Sequence, residues 1–359
     1  MSEEIKNVSE QAAAPTPKAG KKKKVKKERK YRISWYTYFL LFVDLCAIIC
    51  FGLFYGPYDE FRQWYTTTAI SSGKHKYLAY VFYGKEDINR TMCANRTSES
   101  GENTDTSQIH VVDNPDDGYY ENEFDRQVLE REPGDVYKVI ELKEKGVEGW
   151  IIAIYDPSRV QLATADRAWG ATAGEYTKKY SPLVLVNGGG DYRFKDNGDL
   201  YAFGGQILNG KITKDPGKTK YVIGMTNDNI LYLAKTTMSK AQKAGCKWAT
   251  TYGPFLIVNG NKVKFTGNGG YGIRPRTAIG QRKDGIILLC VMNSNGYGPR
   301  GGCSMPQLAD TMEKYGAYNA ANLDGGGSTA LYVNGELIND PAGFGYVGER
   351  YVGEFIIVK

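Results

Sequence analysis

Hydrophobic positions fall into two regimes along the chain. The first is one unbroken apolar run, Trp35 to Tyr55, 21 residues carrying a single charge, Asp44. About 20 such residues span the hydrocarbon core of a bilayer, so the run predicts a transmembrane helix. The second regime starts near Val136 and continues to Lys359. Here short apolar or β-branched runs recur at 150–155, 183–186, 221–224, 230–233, 255–258, 277–280, 286–292, 329–333 and 354–358. Turn pairs divide many of them: Asn197-Gly198, Asn209-Gly210, Asn259-Gly260, Asp284-Gly285 and Asn334-Gly335. Helical periodicity is confined to 172–180, 238–244 and 305–315, the last opened by Ser304 as N-cap with Pro306 in the first turn. Strands dominate and helices are scattered among them. The pattern predicts an α+β fold: a strand-rich mixed sheet core with a few helices, preceded by a single transmembrane helix.

The segments between and before these regimes complete a five-part layout. Residues 1–34 form a polar, lysine-rich tail, and 35–56 the transmembrane helix. Residues 57–83 mix aromatic and small residues and predict a helical stalk. Residues 84–135 are polar and predict a linker or surface insertion, and 136–359 form the globular domain. Charge changes the picture only at the N-terminus. Residues 1–32 carry eleven Lys/Arg against four Glu, whereas the remainder holds 35 basic and 36 acidic residues. The lysine cluster flanks the apolar run on its N-terminal side only, so the positive-inside bias predicts a cytoplasmic N-terminus and an extracellular domain, single-pass in the cell membrane. Trp35, Tyr36 and Tyr38 at one end and Tyr55, Tyr58 and Trp64 at the other fit interfacial aromatic belts. Beside a membrane span the lysine run suits anionic lipid better than nucleic acid. Asp44, costly inside a bilayer, leaves self-association through this helix open.

Side-chain inventory narrows the chemistry. There are two histidines, His75 and His110, both before the globular domain, so histidine triads and histidine metal sites have little support. Cys93, Cys246, Cys290 and Cys303 lie outside the apolar run without a CxxC or Cys/His metal pattern, and their spacing does not choose a disulfide. Nothing in the sequence requires a cofactor, and a divalent metal is left open.

Four polar, glycine-rich loops adjoin expected strands. They are Asn187-Gly188-Gly189-Gly190-Asp191, Thr251-Tyr252-Gly253-Pro254, Gly272-Ile273-Arg274-Pro275-Arg276-Thr277, and Asn322-Leu323-Asp324-Gly325-Gly326-Gly327-Ser328. Glycine backbones can gather N–H groups into an anion-binding concavity. Arginine matches phosphate with a planar fork. A carboxylate can act at an acetal carbon, where hydrolysis usually employs a pair. No Walker A, nucleophile elbow or dinucleotide fingerprint is present. Together these residue types suit a phosphorylated sugar.

The ordered set of motifs also resembles the phosphodiester glycosidase family. The matching pieces, spread over 147–359, are Tyr155-Asp156-Pro157-Ser158-Arg159, Asn187-Gly188-Gly189-Gly190, Gly205-Gln206-Ile207 with Asn209-Gly210, and the stretch Tyr252 to Gly260. They continue with Pro275-Arg276-Thr277-Ala278-Ile279-Gly280, Leu308-Ala309 before Gly316-Ala317, and Asn322 to Ser328. The resemblance implies cleavage of a sugar-1-phosphodiester between the anomeric carbon and the phosphate oxygen. It makes Asp324 the leading catalytic carboxylate, Arg276 the phosphate ligand and Asn187 an orienting or sugar-binding group. The walls of the site are then Gly188, Gly189, Gly190, Asp191, Gly253, Pro254, Thr277, Gly325, Gly326, Gly327 and Ser328. Asp191 and Glu175 are the alternatives for a partner carboxylate, Asp191 being a departure from the aromatic residue frequent in relatives. A second departure is Asn293-Ser294-Asn295-Gly296, where relatives often carry Asp-Gly-Arg, with Arg300 as a spatial substitute.

The expected function is a cell-surface hydrolase of glycosyl-phosphate linkages in an envelope polymer, exopolysaccharide or glycolipid. A non-catalytic module binding phosphate-containing wall polymers, or a glycosyl-phosphoryl transferase, would use the same residues.

Overall fold

The computed structural model describes residues 34–359 except 73–74, 113–117, 145–146, 190–191, 195–199, 203, 294–300 and 344–345. Gly190, Asp191, Asn197-Gly198, Arg300 and the basic tail therefore lie outside the described residues. The chain divides into two compact units, Met1–Gly52 and Leu53–Lys359. The described part of the first is an apolar helix that continues into the second (α1, Trp35–Tyr55), none of whose residues is buried. It is long and apolar enough to cross a membrane.

The second unit begins with three short helices: α2 (Asp59–Ile70), α3 (Tyr77–Phe82) and α4 (Lys85–Ala94). Asp59 and Glu60 favour the α2 start, where acidic side chains oppose the helix dipole. The polar stretch 84–135 is built into the unit rather than trailing from it. It contains α4, a helix at Glu123–Leu129, and a strand at Arg96–Thr97 that pairs with Phe265–Thr266.

Three sheets surround one core. The seven-stranded sheet runs, in spatial order, Asn261–Lys262, Phe255–Val258, Asn319–Asn322, Arg276–Gln281, Ile287–Met292, Val147–Ile154 and Tyr137–Glu144. A five-stranded sheet orders Leu231–Thr236, Lys220–Thr226, Cys246–Thr251, Gln206–Leu208 and Lys211–Lys214. The other five-stranded sheet orders Glu336–Leu337, Leu331–Val333, Val184–Asn187, Glu354–Val358 and Val160–Thr164. All the pairings within them are antiparallel.

The continuous apolar runs make sense because both faces of these sheets are covered. Along Ile287–Met292, for example, Ile287, Leu289 and Val291 face the central core. Leu288, Cys290 and Met292 face the opposite layer, with Leu308 and Met312 of the Met305–Lys314 helix and Val128 of Glu123–Leu129. Residues from all three sheets meet in the central core, including Ile154, Ile223, Trp248, Val186 and Ile356. The two smaller sheets are backed in the same way: Tyr176 packs on Phe355, and Met238 and Ala241 pack with Ile207 and Val222.

Local chemistry produces the expected turns. Asn209-Gly210, Asn259-Gly260 and Asn334-Gly335 all have positive φ at both positions and join paired strands. This is the two-residue geometry that asparagine and glycine tolerate best. Helices start where capping predicts. Ser304 and Thr172 each form a complete capping box, the second with Glu175 as its return partner. Among the described residues no disulfide is present.

Candidate functional site

Each of the three sheets contributes a loop to one end of the central core. The Val184–Asn187 strand leads into Gly188-Gly189, and Cys246–Thr251 leads into Tyr252-Gly253-Pro254. Arg274-Pro275 precedes Arg276–Gln281, and Asn319–Asn322 runs out into Leu323 to Ser328. The strands fix where these loops meet. Backbone bonds then lock them: Leu323 N–H donates to Thr277 O (2.8 Å), Gly326 N–H to Pro275 O (2.8 Å) and Asp324 N–H to Gly188 O (3.2 Å). Asn322 Nδ2 donates to Gly253 O at 2.9 Å, and its N–H to Pro254 O at 3.0 Å, which holds the cis Gly253–Pro254 turn in place.

Asp324 stands at the meeting point, half-buried. Its Oδ1 accepts the Tyr252 hydroxyl at 2.7 Å and the Gly325 N–H at 2.9 Å. Both bonds fall on one oxygen, so Oδ2 is the one available to a ligand. Burial, and then the Asp324 carboxylate, push the Tyr252 phenol well above its ordinary value. Tyr252 therefore stays a neutral donor at neutral pH.

Asn187 is fully engaged in holding this carboxylate's backbone. Its Nδ2 donates to Asp324 O at 2.6 Å, while Oδ1 accepts from the Thr277 hydroxyl at 2.6 Å and Ala330 N–H at 3.3 Å. Asn187 and Thr277 are both buried, so they orient the site from behind.

The two arginines of the third loop have different surroundings. Arg276 is 3% exposed, and its guanidinium donates to the carbonyls of Tyr271 (2.9 Å), Gly272 (2.7 Å) and Cys303 (3.3 Å). Burial, and next the charge of Arg274, bring it down to about 9, so it remains charged at neutral pH. Two of the three nitrogens of the fork expected to clasp phosphate, Nε and Nη2, are thus occupied by backbone. Arg274 is half-buried, and its charge acts on both Tyr252 and Asp324. Its Nη2 donates to Thr68 O of α2 at 3.1 Å and to the Ser71 hydroxyl just past it, while Nε is buried without a hydrogen-bond acceptor. Arg274 is the arginine whose charge acts on the Asp324 carboxylate.

The glycine loop also differs from a three-donor concavity. Gly325 N–H is spent on Asp324 and Gly326 N–H on Pro275, and residues Gly326–Ser328 turn in a 3-10 segment with Ser328 buried. Glycine is needed at 325 for closeness, since a Cβ there would lie 2.7 Å from Pro275 O. Gly189 shows the same requirement, with a Cβ position 2.9 Å from Tyr252 Cβ.

A further carboxylate, Glu354, lies beneath the Gly188-Gly189 turn and is 2% exposed. It accepts from Gln206 Nε2 and, at 2.5 Å, from the Thr250 hydroxyl, and its carbonyl accepts Gly188 N–H at 2.8 Å. Sequence reading passed over it because a charge at the head of an apolar strand looks like a strand boundary. Glu175, by contrast, is spent on its capping box and on Arg167 (2.8 Å). Asn293 is buried and donates to Glu148 Oε2 at 3.1 Å. Among the described residues no cluster of His, Cys, Asp and Glu could hold a metal ion.

The sequence profile of the phosphodiester glycosidase family matches residues 180–359, half of the chain and all four loops. The chain belongs to the phosphodiester glycosidase family. It is 36% identical over 70 residues to human N-acetylglucosamine-1-phosphodiester alpha-N-acetylglucosaminidase and 33% identical over 67 residues to the mouse protein. These alignments take in 20% and 19% of this chain, and the chain spans only 13% of the length of either relative. The fold of this phosphodiester glycosidase family member is similar to that of the zebrafish enzyme's catalytic domain, a structure auto-inhibited by its pro-peptide. The similarity has a TM-score of 0.52 at 20% identity and covers 64% of this chain and 85% of that one.

Proposed function

We propose that this protein hydrolyses a sugar-1-phosphodiester, with N-acetylglucosamine as the sugar suggested by its relatives, and that Asp324 acts at the anomeric carbon. The observation that supports this most directly is the pairing on Asp324: a carboxylate fixed through Oδ1 by Tyr252 and Gly325, with the Arg274 charge beside it. In the reaction water adds its hydroxyl to the anomeric carbon and gives its proton to Asp324, while the bond from that carbon to the phosphate oxygen breaks with its electron pair leaving on the phosphate. The products are free sugar and a phosphomonoester.

This leaving group explains how Asp324, without a partner acid, would be enough. An ordinary glycosidase needs an acid to protonate a poor alkoxide leaving group. A phosphomonoester has a second pKa of about 6, so it departs as an anion and needs positive charge rather than a proton. Arg274 supplies that charge. Asn187 and Thr277 hold the Asp324 backbone, Arg276 holds the loop that carries Arg274, and Gly188, Gly189, Gly253, Pro254 and Gly325 to Ser328 form the walls. The family's chemistry, together with an N-terminal helix able to cross a membrane, supports a membrane-anchored enzyme whose site faces outward to an envelope glycan or glycolipid.

The test is release of reducing sugar from the methyl diester of N-acetylglucosamine-1-phosphate. Asp324→Asn should lower kcat by about 10²–10⁴-fold, the usual span for losing an acid–base carboxylate. Equal release by both proteins would remove Asp324 from the reaction.

A further inference from the structure

The residues matched by the family profile begin at 180, yet the loop that carries Arg274 is held by a segment far upstream of them. That segment comprises α2, α4 and the strand Arg96–Thr97. Asn95, 0% exposed, is its centre. Its Nδ2 donates to Thr91 O (3.0 Å) and Gln63 Oε1 (3.3 Å), and its Oδ1 accepts Asn268 N–H at 2.9 Å. Asn268 Nδ2 then donates to Thr67 Oγ1 of α2 at 2.8 Å, and Thr97 Oγ1 donates to Gly269 O at 2.9 Å. Glycine lets the loop lie this close. A Cβ on Gly270, whose φ is +83°, would lie 2.5 Å from Asn95 O, and one on Gly272, φ +67°, 2.7 Å from Thr68 Cα.

Arg274 meets α2 at the end best suited to a cation. The last carbonyls of a helix lack intrahelical partners and carry the negative end of its dipole. The last turn of α2 has no basic residue of its own. The N–H groups of Ser71 and Ser72 take Thr67 O and Ala69 O, and the carbonyl between them, Thr68 O, takes Arg274 Nη2 at 3.1 Å. Ser71 Oγ, at the C-cap, also accepts from Nη2. The Ser71 hydroxyl hydrogen in turn has Thr67 O at 2.6 Å and Tyr271 O at 3.1 Å in reach. Guanidinium, helix end and loop thus close into one network. A long side chain with many rotamers is held by two acceptors at one nitrogen.

We propose that α2, although upstream of the residues matched to the family, is part of the site: its C-terminal end fixes Arg274 beside Asp324, and Ser71 is the positioning residue. This rests on the reading of Arg274 as the cation that faces the leaving phosphate. A charge stabilises a transition state most when it stands in place before the bond breaks. A displacement of about 1 Å at a reacting centre can cost on the order of 10²-fold in rate. Without the Ser71 hydroxyl, Nη2 keeps one acceptor on α2 and the guanidinium is free to swing about it. Ser71 touches no substrate in this role and acts through Arg274.

The experiment measures kcat/KM of the full chain for the methyl diester of N-acetylglucosamine-1-phosphate. Ser71→Ala should lower it by about 5–20-fold, part of what loss of Arg274 itself costs. Ser71→Thr, which keeps the hydroxyl, should restore it. In an Arg274→Gln background Ser71→Ala should cost less than about twofold, because the group it positions is already gone. A general weakening of the fold would instead lower both backgrounds by the same factor. Equal factors in the two backgrounds, unchanged or raised kcat/KM in Ser71→Ala, or no rescue by threonine would overturn the role of α2 while leaving Asp324 and Arg274 in theirs. Full activity of Arg274→Gln would overturn the phosphate role of Arg274, and the positioning role with it.

Discussion

Two arginines two positions apart have opposite assignments, and the start of a strand at the second explains why. Arg276 opens a strand, so its side chain falls on the same face as Ala278, which packs in the layer beneath the Met305–Lys314 helix. A guanidinium there must be satisfied by protein, and three carbonyls do so. Arg274 precedes the strand and escapes that constraint. Replacing each by Gln should separate the roles. Arg276→Gln should destabilise the fold by about 2–4 kcal/mol, because it leaves buried carbonyls unpaired. Arg274→Gln, which gives up its bonds to Thr68 and Ser71, should lower the urea midpoint less than Arg276→Gln and lower kcat/KM for a phosphodiester by about 10–100-fold, the loss of one charge-assisted contact. Chemical denaturation alongside kinetics of the methyl diester would check both, and a reversed pattern would return the phosphate role to Arg276.

At the scale of elements, the apolar runs from 150–155 to 354–358 all lie on strands, and the helices at Ala173–Tyr180, Met238–Lys243 and Met305–Lys314 begin at capped residues. Those elements were legible because burial on one or both faces imposes a period the eye can count. Strands such as Asn319–Asn322 were not, since Asn-Ala-Ala-Asn has neither β-branching nor bulk, and its place is set by neighbours on both sides. Cys246–Thr251, likewise unannounced, is the strand that delivers Tyr252. The loops were legible as a set, but which side chains they turn inward was not, because that depends on contacts between sheets far apart in sequence. Gly189→Ala tests one such contact. The added methyl would press on Tyr252 and Thr250, at 2.9 and 3.1 Å. Overpacking of this kind costs about 1–3 kcal/mol. Displacing the Tyr252 hydroxyl from Asp324 should also cut kcat, and a fall in stability with no loss of turnover would break the link to Asp324.

For the molecule as a whole, Glu354 is the polar tie between two sheets. It sits on a strand of one five-stranded sheet and accepts hydrogen bonds from Gln206 and Thr250 of the other. Burial pulls the nearby Lys214 ammonium down, and Glu354 partly restores it. Glu354→Ala should therefore cost about 2–4 kcal/mol in a urea titration, because it strands an amide, a hydroxyl and a cation together. A change below about 0.5 kcal/mol would show that packing alone, as at an ordinary surface position, joins the sheets.

The position of the Glu354–Val358 strand has one more consequence, for the life of the chain before it is finished. This strand lies between Val160–Thr164 and Val184–Asn187, bonded to both, yet it is made long after them. At ribosomal speeds of about 5–20 residues per second, roughly ten to thirty seconds pass between the emergence of Asn187 and that of Glu354. Throughout that interval two strands present unpaired edges, the kind of surface on which nascent chains stick to one another. The Gly188 turn, which needs the Glu354 carbonyl, stays unformed as well. The turn at the candidate site thus forms only after Glu354 has been made, and chaperones have that window in which to protect the open edges.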